Sequence, residues 1–329
     1  MDLSNKKILV TGASGFIGSH LTESLAQISD HVSVFLHYRS SSDRGWIDTL
    51  PKDIQDRLQV FWGDLKDAES IRRAVKGQDV VFNLAAQIAV PYSFVNPSDV
   101  IHTNAIGSMN IFDACREYNV QKVVQTSTSE TYGTAITVPI SESHPSQAQS
   151  PYAASKIAAD KIAESYVLAL GAPIAILRPF NTYGPRQSAR AVIPTIITQA
   201  LTQPTIKLGS LDPKRDLLFV LDTVAGFKAC AETDATIGQV TNVGTGQEVS
   251  IGDLVTTIQK ILGTNKEVAT DTTRIRPGKS EVQRLLCDYS KATHLMNWKP
   301  QHTLEQGLAI TIDWIKEHLQ YYRPEIYNI

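Results

Sequence analysis

The chain is predicted to fold as an α/β protein with a doubly wound parallel sheet and a smaller second domain. Strand-like apolar runs occupy residues 7–10, 32–36, 58–62, 80–85, 122–127 and 173–178. Helical patterns lie between them, near 16–27, 67–76, 98–118 and 152–170. This alternation is typical of βαβ units, which build a parallel sheet with helices on both faces. A glycine-rich turn after the first run is typical of the Rossmann form of such a sheet.

Beyond Pro179 the elements become shorter and prolines recur, which predicts a second domain of mixed α/β structure. Ser250 followed by Asp253 is typical of a helix N-cap, ahead of an apolar pattern that reaches Leu262. We expect residues 1–178 to form the first domain, with parts of 216–245 packing back onto it. Residues 179–329 are expected to form mainly the second domain, which binds the substrate.

Composition argues against several classes of protein. The 329 residues carry a formal net charge of −2, which argues against a general nucleic-acid binder. No apolar run approaches the roughly 20 residues of a membrane helix, and the first residues lack the features of a signal peptide. Three widely spaced cysteines fit a cytoplasmic protein with reduced thiols. The histidines show no metal-ligand spacing, so no metal site is expected.

The segment 11–18 reads TGASGFIG and lies where the first apolar run passes into the first helical pattern. In such a turn Gly12 permits a tight bend, Gly15 lets a pyrophosphate approach the backbone, and Gly18 allows close helix packing. The helix N-terminus then offers free N–H groups to the phosphates. The alternative is a glycine-rich turn without a ligand. The order of strand, turn and helix favours a dinucleotide site and a redox cofactor.

Tyr152 and Lys156 begin a helical pattern and lie one turn apart on the same helix face. A lysine ammonium near a phenol favours the phenolate and is expected to lower the tyrosine pKa toward that of a working base. Tyr118 and Lys122 have the same spacing, but that pair runs from a helix end into a strand. We therefore interpret the second pair as surface structure and the first as catalytic.

The segment 126–133 reads TSTSETYG and follows an apolar strand, so it lies at the carboxyl end of that strand, where this architecture binds ligands. Its hydroxyl groups suit a sugar, and Glu130 is a carboxylate available as base or acid. The alternative is a solvated loop without a chemical role.

Motifs along nearly the whole chain resemble those of the extended short-chain dehydrogenases/reductases that act on nucleotide sugars. They are TGASGFIG at 11–18, GD at 63–64, NLAAQ at 83–87, TSTSETYG at 126–133, YAASK at 152–156 and RPFNTYGPRQ at 178–187. Within that family TSTSE resembles the NDP-hexose 4,6-dehydratases. Residues 178–194 and the tail 322–328 look most similar to the NDP-N-acetylglucosamine 4,6-dehydratases of legionaminic-acid-type pathways.

The resemblance implies a set of catalytic residues, namely Thr128, Ser129, Glu130, Tyr152 and Lys156. Tyr152 takes the proton of the sugar 4-hydroxyl as hydride leaves C4 for the nicotinamide, and Thr128 hydrogen-bonds that hydroxyl. Lys156 binds the nicotinamide ribose and lowers the tyrosine pKa. Glu130 removes the C5 proton, water leaves C6, and the hydride returns to C6.

The resemblance also implies binding residues and a homodimer formed through the helices near 98–118 and 152–170. The residues expected at the cofactor are Gly12, Ser14, Gly15, Phe16, Ile17, Gly18, Tyr38, Arg39, Asp64, Leu65, Ala85, Ala86, Gln87, Tyr152 and Lys156. Asn181, Arg190 and Arg215 match positions where relatives hold the diphosphate and nucleotide. The arginine fork suits that role because it pairs with phosphate oxygens.

Two positions depart from the patterns expected. Many dTDP-glucose dehydratases have an aspartic acid just before the glutamate, whereas this chain has Ser129, a poor general acid. Glu130, once protonated from C5, is then expected to protonate the departing C6 hydroxyl. Residues 35–42 contain no acid for a ribose 2′-hydroxyl, and Arg39 suits a 2′-phosphate, which favours NADP over NAD. The alternative for Arg39 is an exposed basic turn.

Other activities remain open on the same scaffold. A sugar 4-epimerase needs Tyr152 and Lys156 but not Glu130, and a UDP-glucuronate decarboxylase also carries a TSE motif. A non-catalytic regulator that senses dinucleotides needs only the glycines. The sequence does not distinguish the nucleotide or the C2 substituent of the sugar.

Overall fold

The computed structural model describes residues 1–38, 40, 43–274 and 280–322. Arg39, predicted to contact the cofactor, and residues 323–328 of the tail motif lie outside the described residues. The strands are β1 (Ile8–Thr11), β2 (Val32–His37), β3 (Gln59–Gly63), β4 (Val80–Asn83), β5 (Lys122–Thr126), β6 (Ile174–Pro179), β7 (Asn181–Tyr183), β8 (Thr205–Leu208), β9 (Lys214–Arg215), β10 (Leu217–Phe219), β11 (Val240–Val243), β12 (Val249–Ser250) and β13 (Glu267–Thr270). The helices are α1 (Phe16–Ala26), α2 (Lys52–Arg57), α3 (Ala68–Val75), α4 (Val90–Val95), α5 (Pro97–Ile101), α6 (Gly107–Glu117), α7 (Pro151–Leu170), α8 (Val192–Thr202), α9 (Val220–Glu232), α10 (Ile251–Leu262), α11 (Ser290–Met296) and α12 (Leu304–Glu317).

Seven of these strands form one parallel sheet in the order β11-β6-β5-β4-β1-β2-β3. The strand order reverses between β1 and β4, and ligands of doubly wound sheets bind at this switch point, beyond the carboxyl ends of the strands. The predicted fold class is therefore confirmed. The seventh strand, β11, comes from the second half of the chain and pairs with β6. The division at residue 178 stays a prediction.

The sheet is buried on both faces, which explains why its strands appear in the sequence as continuous apolar runs. Ile8 and Val10 of β1 pack into the cluster under α1 and α9, whereas Leu9 points to the cluster under α3 and α6. This alternation is the two-residue period of a strand.

A third apolar cluster lies in the second half and includes residues of α8, α10 and α12. Phe16 and Ile17 of α1 pack against it from the first half. The helix that follows the glycine turn is thus shared by both halves. Ser250 accepts a hydrogen bond from the N–H of Asp253 and caps α10, as the sequence predicted.

The single helix expected over 98–118 is interrupted. α5 and α6 are separated by a π-helical turn, His102–Ile106. Such turns are rare and often mark functional sites, because the wider spacing redirects a side chain. Asn104 lies in this turn and is buried, with hydrogen bonds to Gln87 and to Ser155.

Candidate active site

The glycine turn has the geometry that its sequence predicts. Gly12 adopts a left-handed conformation with φ of +70°, and a Cβ there would lie 2.8 Å from the N atom of Ala85. A Cβ on Gly18 would overlap the carbonyl group of Gly12. The turn therefore packs against the segment after β4 and against its own helix too closely for any side chain at these two positions.

The start of α1 fits the pyrophosphate of a dinucleotide. Gly15 is the N-cap and offers no side chain to the first amides, and the first turn contains no acidic residue. Phe16 and Ile17, the first residues of the helix, carry amide groups without intrahelical acceptors. The carbonyl of Ser14 accepts a hydrogen bond from the N–H of Trp46 at 3.1 Å, which holds the turn from outside. A free helix N-terminus of this kind binds anions.

A buried threonine connects the turn to the neighbouring strand. The Oγ1 atom of Thr11 donates to the Oδ1 atom of Asn83 at 2.8 Å and accepts from the N–H groups of Leu84 and Ala85. The backbone between Ala85 and Gln87 is thereby held beside the glycine turn, where the sequence predicted cofactor contacts. Ala86 lies between the two.

The other predicted cofactor residues lie after β2 and β3. Tyr38 is exposed, with 68% of its surface accessible. Asp64 accepts a hydrogen bond from the N–H of Lys66, and Leu65 is buried against Gly107 at the start of α6. These positions stay predictions for cofactor binding.

The catalytic pair is carried by α7. Ser150 caps this helix by accepting from the N–H of Ala153, so Tyr152 and Lys156 lie on its first two turns. The side chain of Tyr152 is buried beside Thr128, whose hydroxyl acts to lower the tyrosine pKa. The Nζ atom of Lys156 donates to the carbonyl of Thr126 at 2.7 Å. The helix is thus attached to the residues that follow β5.

Thr128, Ser129 and Glu130 lie next to this pair. Thr128 caps the short 3-10 turn Ser129–Tyr132 by accepting from the N–H of Glu130 at 3.2 Å. Ser129 is buried and Glu130 is half-buried. The charge of Glu130 acts on the Tyr152 hydroxyl. The structure therefore brings together all five residues predicted to be catalytic.

One electrostatic expectation is wrong for the protein alone. Burial, and then the charge of Glu130, raise the pKa of Tyr152 above its usual value of 10.0. Lys156 does not reverse this shift, because its Nζ is bonded to the Thr126 carbonyl and not to the phenol. Burial also lowers the pKa of Lys156 to about 8. Tyr152 is therefore a neutral hydroxyl at neutral pH.

The second tyrosine–lysine pair also needs a correction. Tyr118 is the C-cap residue of α6 and Lys122 begins β5, as expected for a pair that leaves a helix for a strand. Lys122, however, is fully buried and not a surface residue. Its Nζ donates to the Thr233 carbonyl at 2.9 Å and to the Oγ1 atom of Thr236 at 2.8 Å. The reason is that β5 is a central strand, covered on both faces.

Sequence reasoning missed Asn104. Its amide exchanges hydrogen bonds with the backbone of Gln87, accepting at 2.7 Å and donating at 2.9 Å, and also donates to the Oγ atom of Ser155 at 2.9 Å. It thus joins the predicted cofactor strand end to the catalytic helix. The only signal in the sequence is an asparagine inside an otherwise regular helical pattern, which is weak.

The residues predicted to bind substrate differ in their surroundings. Asn181 begins β7, and its Oδ1 atom is buried without a partner among the described residues. β7 pairs with β10 so that Asn181 lies opposite Leu217, which places β9 and Arg215 nearby. Arg215 is buried and pairs with Glu281 at 3.0 Å. Arg190 is exposed in the loop before α8.

Two classes of site receive no support from the described part of the chain. It contains no group of three or more histidine, cysteine, aspartate or glutamate side chains arranged to hold a metal ion. None of its helices is both long and apolar enough to cross a membrane.

The fold and the glycine turn define a Rossmann α/β protein with an NAD(P)-type site. The family model for GDP-mannose 4,6-dehydratase matches residues 9–311. The chain therefore belongs to this family of short-chain dehydrogenases/reductases that act on nucleotide sugars.

Relatives with two activities share this scaffold. The dTDP-D-glucose 4,6-dehydratase of Mus musculus is 32% identical, covering 95% of this chain and 89% of the relative. The structure of DesIV, a dTDP-glucose 4,6-dehydratase from Streptomyces venezuelae with NAD bound, has a TM-score of 0.88 at 29% identity, covering 96% and 99% of the two chains. The UDP-N-acetylglucosamine 4-epimerase of Methanobrevibacter ruminantium M1 has a TM-score of 0.86 at 30% identity, covering 95% and 99%. The family thus includes both dehydratases and epimerases.

Proposed function

We propose that the protein is an NDP-hexose 4,6-dehydratase that makes an NDP-4-keto-6-deoxy-hexose. The observation that carries the proposal is the position of Glu130. Thr128 adjoins the Tyr152 hydroxyl, whose pKa it acts to lower, and accepts from the N–H of Glu130, whose charge reaches the same hydroxyl. A carboxylate is therefore held beside the redox tyrosine. Elimination of water needs such a base for the C5 proton, whereas oxidation at C4 alone does not.

The residues of α7 perform the first step. A bound NAD(P)⁺ supplies the hydride acceptor for C4 and later the hydride donor for C6. Tyr152 takes the proton of the 4-hydroxyl, and Thr128 orients the same hydroxyl. Lys156 binds the nicotinamide ribose, and its ammonium charge favours ionisation of the phenol once substrate and cofactor exclude water.

Glu130 performs the elimination. It removes the C5 proton, which becomes acidic when C4 is a ketone, and then delivers a proton to the departing C6 hydroxyl. Because Ser129 is a poor acid, the Glu130 carboxyl group both removes the C5 proton and protonates the departing C6 hydroxyl. The buried position of Ser129 fits a packing role within the short turn.

The proposed substrate is GDP- or UDP-N-acetylglucosamine. Residues 178–194 resemble the N-acetylglucosamine dehydratases, and a solved relative is named for UDP-N-acetylglucosamine. The unpartnered Oδ1 atom of Asn181 supports a ligand at this end of β7. We assign the diphosphate and nucleotide to Asn181, Arg190 and Arg215.

The proposal is tested by mass spectrometry of products from GDP-, UDP- and dTDP-hexoses with and without the acetamido group. The expected product is lighter than its substrate by one water. Glu130→Gln should keep the fold and the cofactor but stall after C4 oxidation. Glu164→Gln, on the exposed side of α7, is the control and should turn over normally. Faster turnover of unsubstituted NDP-glucose or GDP-mannose than of every acetamido sugar would refute the substrate assignment.

A second candidate is a 4-epimerase, favoured by Ser129 in place of an acid and by the epimerase relative. Its product would have the mass of its substrate and differ only at C4. Loss of CO₂ from UDP-glucuronate would instead indicate the decarboxylase. Absence of any product would favour a regulator that only senses dinucleotides.

We further propose NADP over NAD as the cofactor, because no acid follows β2 in residues 35–42. The relatives give the opposite indication, since DesIV is described with NAD. Chromatography of the dinucleotide released from denatured protein distinguishes the two. NAD alone would refute the preference.

We propose a homodimer formed through α5, α6 and α7. Three apolar residues are exposed here, namely Ile101 of α5, Ile106 of the π-helical turn before α6 and Leu168 of α7, which is 80% accessible. Light scattering should give twice the chain mass, and Leu168→Glu should shift it toward the monomer. Cys115, Cys230 and Cys287 are buried and free, which supports the cytoplasm as the compartment.

A further inference from the structure

One face of α7 contacts three consecutive residues, which are the last residue of β5 and the two that follow it. The contacts join Tyr152 to Thr128, Lys156 to Thr126 and Asp160 to Ser127. The helix residues are spaced by four, so they form one stripe along the helix. The first two belong to the catalytic pair described above, whereas the third has no role in the proposed reaction.

Asp160 is the centre of a buried network. Its Oδ2 atom accepts from the Oγ atom of Ser127 and from the Nη2 atom of Arg178, both at 2.6 Å. The Nε atom of Arg178 donates to the same Ser127 hydroxyl at 3.3 Å. The Asp160 and Arg178 side chains are 7% and 6% exposed. The other oxygen, Oδ1, is buried without a partner among the described residues, and Asp160 is one of the residues around a cavity of about 420 Å³.

Arg178 extends the network to the far end of the catalytic turn. Its guanidinium lies over the ring of Tyr132, 4.6 Å from the ring centre. The Tyr132 hydroxyl in turn donates to the Oδ1 atom of Asn242 at 2.8 Å. The ion pair therefore contacts Ser127 and Tyr132, the two residues on either side of the segment 128–131.

We propose that Asp160 is a positioning residue, which with Arg178 fixes the segment 127–132 against α7 so that Glu130 stays in reach of the substrate C5 while Tyr152 faces C4. The proposal rests on the proposed dehydratase function, because it assigns Glu130 as the C5 base. Displacement of a catalytic group by about 1 Å is enough to lower a rate about 10²-fold. Buried ion pairs often add little to net stability, which leaves positioning as the effect to be measured.

The test separates the two chemical steps in the holoenzyme. Ser127→Ala removes the hydroxyl that joins Asp160 to the segment and leaves the Asp160–Arg178 ion pair in place. Release of C5 hydrogen to solvent should fall about 10-fold to 10²-fold. C4 oxidation, followed by the absorbance of reduced nicotinamide in a single turnover, should fall less, because Tyr152 and Lys156 are held by the helix itself. KM should change less than twofold.

Matched variants keep the test decisive. Ser127→Thr retains the hydroxyl and should restore C5 exchange. Ser165→Ala removes a hydroxyl that bonds only within α7 and should have no effect. Asp160→Asn keeps an acceptor for Ser127 but loses the charge, and should show the same step-selective loss if it folds.

Each outcome has one meaning. A wild-type product that keeps its C5 hydrogen overturns the proposed function. Wild-type exchange together with unchanged exchange in Ser127→Ala overturns the positioning role alone. Equal losses in both steps, with a lowered Tm and no recovery in Ser127→Thr, would show that the network is merely structural.

Discussion

Tyr118–Lys122 and Tyr152–Lys156 have the same spacing and lie at opposite ends of one strand. Lys122 begins β5 and bonds to the Thr233 carbonyl, whereas Lys156 bonds to the carbonyl of Thr126 at the strand's other end. Only the second pair lies within a single helix. The comparison shows that spacing acquires chemical meaning through the element that carries it and through the end of the sheet that it reaches.

Both lysines are buried, so burial does not distinguish the two pairs. Lys122 donates to a carbonyl and a hydroxyl in the core beneath α9. It lies at the amino end of β5, away from the carboxyl ends of the strands where the glycine turn is found. Lys156 bonds to the Thr126 carbonyl at the carboxyl end of β5, two residues before Thr128. The amino ends of the strands provide stability here, and the carboxyl ends provide the site.

The largest expected effect is the loss of the Tyr152 hydroxyl. Tyr152→Phe should lower kcat by ~10²–10⁴, the range typical of a missing acid–base group. The matched variant Tyr118→Phe should leave kcat unchanged. Steady-state assays with the proposed substrate make the measurement, and cofactor content confirms that the site is intact. Near-wild-type turnover of Tyr152→Phe would contradict the catalytic assignment.

Substitution of the two lysines should affect kcat as differently as substitution of the two tyrosines. Lys156→Met should lower kcat by about 10²-fold, because the phenol loses the charge that favours its ionisation. Lys122→Met should keep kcat within about twofold, since its contacts lie at the other end of β5. Equal losses of activity in the two variants would remove the distinction between the pairs.

A smaller effect is expected in the pH dependence of stability. Burial lowers the pKa of Lys156 from 10.5 to about 8, so the unfolded chain binds this proton more tightly than the folded one between those values. The free energy of unfolding should therefore rise with pH in that window, by about 2 kcal/mol between pH 8 and 10. Urea unfolding of the protein without ligands should show this rise relative to Lys156→Met. The prediction would be wrong if the free energy of unfolding changed with pH by the same amount in the wild type and in Lys156→Met.

The sequence predicts the first six strands of the sheet well, because each appears as an apolar run and all except the edge strand β3 are buried along nearly their whole length. It does not predict β11, whose four residues include the polar Thr241 and Asn242. Asn242 is accommodated in the core because its Oδ1 atom accepts from the Tyr132 hydroxyl and its backbone N–H donates to the Oε1 atom of Glu142. Such partners are about 100 residues away in sequence and leave no local pattern.

The residues of the site also differ in whether a local sequence pattern predicts them. The glycine turn and the Tyr152–Lys156 pair are local patterns and were found. Asn104 and Asp160 act through contacts with other elements, so their roles emerge only from the fold. The direction of the Tyr152 pKa was missed for the same reason, because it depends on burial and on Glu130 from another segment.

The central claim is that Glu130 makes the Tyr152 site a dehydratase. The most direct test is turnover in deuterated water of an NDP-N-acetylglucosamine carrying deuterium at C4. If Glu130 is the C5 base, the product is a 4-keto-6-deoxy sugar with solvent deuterium at C5 and the C4 label transferred to C6 of the same molecule. A product that keeps its 6-hydroxyl and its C5 hydrogen, with the label returned to C4, would contradict the claim and identify an epimerase.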